Sequence, residues 1–102
     1  MDPNEVKTQL TAIRDYLPAS YSQNSARKLM SSFENYKRVA QGLGNNYSNL
    51  LSGVRSEFSD IELAIKWAIK GTPKKEAESS FSEAKRHITE DINSILATLA
   101  AR

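Results

Sequence analysis

Residues 39–50 read VAQGLGNNYSNL, with Gly42 and Gly44 followed at once by Asn45 and Asn46 in a chain that holds only 4 glycines among 102 residues. The apolar spacing is helical on both sides, so the conformation of this stretch decides the fold. If residues 42–46 turn the chain back, two helices pack side by side. If they only kink it, one rod runs from residue 22 to residue 70 and leaves much of its apolar stripe uncovered. A left-handed residue at Gly44 or Asn45 is the expected device for the turn.

The glycines do not form a nucleotide loop. A dinucleotide fingerprint needs a third glycine where this sequence has Tyr47, and it needs a preceding strand rather than a helix. A P-loop needs Gly-Lys-Ser/Thr, which is absent. The stretch therefore reads as architecture.

Outward from it, four helices are predicted, over about residues 3–17, 22–42, 46–70 and 73–101. The first opens with Asp2-Pro3-Asn4-Glu5, an aspartate cap with proline at the first helical position, and Pro18 ends it. Val6, Leu10, Ile13 and Leu17 mark its apolar face. The linker PASYSQNS is rich in residues that favour turns and caps. The second carries Ala26, Leu29, Met30, Phe33, Tyr36, Val39 and Ala40, a stripe wide enough for two neighbours.

The third has the cleanest pattern. Tyr47, Leu51, Val54, Phe58, Ile61, Ile65 and Ala68 follow alternating four- and three-residue spacing, the seam of a helix crossing its neighbours at a shallow angle. Gly53 inside it costs about 1 kcal/mol against alanine, and close approach of a neighbour is the expected reason. Gly71-Thr72-Pro73 reads as a glycine stop, a threonine cap and a proline start. The last helix carries Ala77, Phe81, Ala84, Ile88, Ile92, Ile95 and Leu99 on one face. Short connections between such segments predict an all-α, antiparallel four-helix bundle in one domain over residues 1–102. The alternative is a three-helix fold with a kinked long central helix.

Composition narrows the function. The chain has no cysteine, which removes disulfides, thiolate metal sites and cysteine nucleophiles. The opening MDPNEVKTQL is polar and acidic, unlike a targeting peptide, so a cytoplasmic location is expected. No apolar run approaches the roughly 20 residues of a membrane span. There is no G-x-S-x-G elbow and no paired-acid pattern, so no catalytic residues and no cofactor are expected. His87, the only histidine, has Glu83 and Asp91 four residues to either side. A single histidine is a weak metal signature, and an ordinary surface ion pair is expected instead of a metal site.

Two surfaces remain. The net charge of +2 is uneven, because residues 23–55 hold Arg27, Lys28, Lys37, Arg38 and Arg55 against Glu34 alone. With Tyr21, Tyr36 and Tyr47 nearby, this segment supports nucleic-acid binding as an alternative function. The favoured reading comes from the third helix, where Leu63 and Trp67 lie off the seam. The only tryptophan thus stands beside a second apolar residue, a composition typical of interaction hot spots. Leu63 and Trp67 as anchors, rimmed by Lys66 and Lys70, predict a non-enzymatic binding module: an adaptor, an inhibitor or a small subunit of an assembly. Its partner would be another protein or a second copy of the chain.

Overall fold

The computed structural model describes residues 2–43 and 47–101. It has four helices: α1 (Pro3–Asp15), α2 (Gln23–Gln41), α3 (Ser48–Lys70) and α4 (Lys74–Ala100). α3 packs on α2 and α4, and α1 packs on the other sides of the same two helices. This is the all-α four-helix bundle the spacing predicts, about 44 Å long and 23 by 18 Å across. The chain does turn back between α2 and α3. Phe58 of α3 sets its ring edge-on to Phe33 and Tyr36 of α2, at centroid distances of 6.0 and 5.7 Å, a contact that a continuous rod forbids. Gly42 ends α2 in ordinary right-handed geometry. The predicted left-handed residue at Gly44 or Asn45 lies outside the described residues.

Local chemistry sets most of the ends. The Asp2 carboxylate accepts from Asn4 N–H at 3.0 Å, and Pro3 stands in the first turn. Ser22 Oγ accepts from Ser25 N–H at 2.9 Å and starts α2. α1 stops two residues earlier than expected, at Asp15, where the Tyr16 N–H closes the last turn on Ala12 O at 3.1 Å.

α4 departs from expectation at its start. Pro73 itself occupies the capping position, extended at φ −65° and ψ 145°, and no side chain caps the helix. The helix therefore begins one residue later than the sequence suggests, at Lys74, and Thr72 stands outside the capping position.

The C-terminus of α3 shows how the linker before α2 earns its sequence. The last four carbonyls of a helix have no partner within it. Here Gly71 N–H donates to Trp67 O at 3.2 Å, Tyr21 Oη donates to Ala68 O at 2.9 Å, and Gln23 Nε2 donates to Ile69 O at 3.0 Å and Lys70 O at 3.2 Å. Gly71 makes this possible twice over. Its φ of 79° is left-handed, and a Cβ there would stand 2.5 Å from Gln23 Nε2, displacing the amide from the carbonyls it caps.

Most residues of the predicted faces are buried, from Val6 and Leu10 in α1 to Ile88, Ile92, Ile95 and Leu99 in α4, while Ile13, Leu17, Met30, Tyr47 and Phe58 are partly buried and pack against that core. Gly53 differs. No atom beyond its own stretch of helix lies within 4 Å of where its Cβ would stand, so close approach is not its reason. Gly53→Ala is accordingly expected to stabilise the protein by about 0.5–1 kcal/mol by restricting the unfolded chain and favouring helix. Thermal unfolding should show Tm raised by about 4 °C; a lower Tm would mean that the position has a constraint of its own.

Candidate functional site

Small residues open a trough between α3 and α4. Ala64 of α3 lines it together with Ser80 and Ala84 of α4, and side chains this short leave space between two helices. Leu63 and Trp67 stand as a ridge on the α3 side, Glu83 and His87 on the α4 side, and Glu57 and Asp60 line one end. The groove holds about 420 Å³, within the roughly 300–1,000 Å³ of ligand-holding clefts.

The ridge is exposed. Leu63 is 57% and Trp67 43% accessible, and the other large exposed apolar side chain among the described residues, Tyr16, lies on a different helix end. Leu63 and Trp67 also wall a second, shallower hollow of about 210 Å³ on their far side, shared with Lys66 and Lys70. The Lys70 ammonium sits 4.8 Å from the centre of the Trp67 ring. The four residues singled out by pattern are therefore neighbours in space. Sequence spacing did not reveal the α4 wall, because its residues come from another helix.

The trough is acidic. Glu57, Asp60 and Glu83 line it without any lysine or arginine, in a chain whose net charge is +2. Among the described residues Glu57 and Asp60 form no ion pair, and Glu83 faces only His87, with Oε1 3.8 Å from Nε2. His87 is thus the surface partner of Glu83. Asp91, the other acid beside it in sequence, turns into the core. No cluster of three or more metal-binding side chains occurs among the described residues.

Asp91 is the residue sequence reading missed. Carboxylates on α4 are expected at solvent-facing positions, yet Asp91 is only 7% exposed. It accepts a hydrogen bond from Tyr36 Oη of α2 at 3.4 Å and lies within hydrogen-bonding reach of Glu57 of α3. Burial, then the hydrogen bond and charge of Glu57, push its carboxyl up to about 8, so near neutrality it carries a proton that Glu57 can accept. Burial also raises the Tyr36 hydroxyl far above the ordinary tyrosine range, with the charges of Asp91 and Glu57 adding to it. A signal was available: continuing the spacing Ala77, Phe81, Ala84, Ile88 lands on Asp91 before Ile95.

The basic residues of the alternative surface are carried by α2 and α3. Lys37 and Arg38 share a shallow hollow with Glu34 near the end of α2. Arg27 and Lys28 lie about 15 Å back along the helix, given 1.5 Å per residue, and Arg55 projects from α3. Lys37 Nζ rests 4.8 Å over the Phe33 ring, and Arg38 Nη2 donates to Asn35 Oδ1 at 3.4 Å. Of the nearby tyrosines, Tyr36 is in the core and Tyr21 caps α3 while its ring stands edge-on to Phe81 at 5.5 Å. Tyr36, with no exposed surface, offers no face for base stacking.

No described helix is long and apolar enough to cross a membrane. Compared with known protein families, curated proteins and solved structures, the chain gives no significant match. The functional reading rests on the groove and its ridge.

Proposed function

We propose that the protein is a non-enzymatic binding module that holds a protein partner against the ridge of Leu63 and Trp67. One observation carries this reading: two large apolar side chains, one turn apart on α3, stand exposed along a groove that the bundle leaves unfilled. Covering them removes apolar surface from water at about 25 cal/mol per Å². Tryptophan in such a position supplies much of the binding energy in known interfaces. Lys66 and Lys70 flank the ridge in the second hollow, away from the acidic groove, and give the site a charged rim. Such a module acts as an adaptor, an inhibitor or a small subunit of an assembly, by bridging or by occlusion.

The test compares wild-type protein with the double variant Leu63→Ala/Trp67→Ala in pull-downs from source cells. Both side chains are exposed, so the variant is expected to keep its helical circular dichroism and lose only about 1 kcal/mol of stability. A specific protein retained by the wild type should be lost from the variant. Equal retention by both, or an unfolded variant, overturns the reading.

A further inference from the structure

We infer that the occupant of the α3–α4 groove is a protein segment with an apolar stripe flanked by lysine or arginine, its cations entering between Asp60, Glu83 and Glu57. The inference deepens the binding-module reading and rests on it. Its ground is the sign of the charge along the groove. Three carboxylates line it and no cation does, although basic residues outnumber acidic ones 14 to 12 in the chain.

These carboxylates are underused. At the end of the groove Glu57 is partly exposed and forms no ion pair among the described residues. A carboxylate offers about four acceptor sites, so the exposed acids of the groove keep capacity that an ammonium or guanidinium can fill. Asp60 has no ion pair, and Glu83 faces a histidine that is charged only when protonated.

The shape favours a segment of chain over a small cation. Leu63 and Trp67 border hollows on both sides, so the apolar strip continues over the ridge instead of closing around a ligand. A helix laid along the trough can bury apolar side chains on the ridge and extend basic ones to the acids, the helix-in-groove mode of peptide recognition.

The only tryptophan stands in the site and reports occupancy directly. Two acetylated 16-residue amphipathic helical peptides with the same leucine stripe serve as probes, one with lysine and one with glutamate on the polar face. At low ionic strength the lysine peptide is expected to shift Trp67 emission to the blue, saturably, with a Kd about tenfold below that of the glutamate peptide. Asp60→Asn/Glu83→Gln, at two exposed positions, should erase that preference while circular dichroism stays unchanged. Equal binding of both peptides, weakened for both by Leu63→Ala, overturns the charge assignment and leaves the binding-module reading standing. No emission change with either peptide overturns the inference. So does a blue shift that grows with protein concentration alone, accompanied by dimers in sedimentation, since a second copy then covers the face.

Discussion

Phe33→Ala is expected to lower stability by about 3–5 kcal/mol, the range for deleting a fully buried aromatic side chain. In a domain of this size that corresponds to a Tm loss of roughly 15–30 °C, from a total stability of about 5–15 kcal/mol. The reason is the place of Phe33 between two helices. It has no exposed surface, and its ring meets Phe58 at 6.0 Å and 82° and Tyr36 at 6.4 Å. Deleting it opens a cavity between α2 and α3 and removes the edge-to-face partner of Phe58. It also uncovers the apolar support beneath Lys37 Nζ. Urea and thermal unfolding followed by circular dichroism measure the loss. A change below about 1 kcal/mol, the size expected of a surface position, would show that this aromatic cluster does not hold α2 to α3. The double change at Leu63 and Trp67 supplies the contrast: larger in atoms deleted, smaller in stability, because those side chains face outward.

The second large effect concerns pH. In the folded protein the Asp91 carboxyl is pushed up to about 8, first by burial and then by Glu57, whereas in an unfolded chain aspartate titrates near 3.9. The groups facing it are Tyr36 from α2, Glu57 from α3 and Glu90 on its own helix. Between about pH 4 and pH 8 the folded state therefore binds one proton more than the unfolded state. Stability is highest at the acid side of that window and declines as pH rises, by at most about 1.4 kcal/mol per pH unit, then levels off above about 8. Asp91→Asn keeps an acceptor for Tyr36 Oη and a donor for Glu57 but has no proton to lose. Urea midpoints measured at pH 5, 6.5 and 8 should fall for the wild type and stay level for the variant, leaving the variant the more stable of the two at pH 8. Parallel profiles for the two proteins would remove Asp91 as the source of the slope.

Asp91 also shows why parts of the site were illegible in the sequence. Its position on the seam of α4 was visible in the spacing, but an aspartate there reads as solvent-facing unless its neighbours are known. Those neighbours, Tyr36 and Glu57, lie 55 and 34 positions away on two other helices. Gly53 failed in the opposite direction: a glycine on a packed helix suggests a close neighbour, and the fold places none there. The tyrosines near the basic segment read as part of a candidate binding surface, yet Tyr21 donates to the α3 carboxyl end and Tyr36 is in the core.

The sequence by itself determined the helices, most of their ends, and the displacement of Leu63 and Trp67 from the α3 seam. These are local matters: a cap such as Asp2 or Ser22 bonds within three residues, and a 3.6-residue period records the angle of each side chain about its own axis. Only the tertiary structure decided that the chain turns back after α2, that Ala64, Ser80 and Ala84 leave a trough beside Trp67, and that three helices bring Tyr36, Glu57 and Asp91 together. Periodicity states which way a side chain points; what stands opposite it, and whether that neighbour is large enough to cover it, depends on residues far away in the chain.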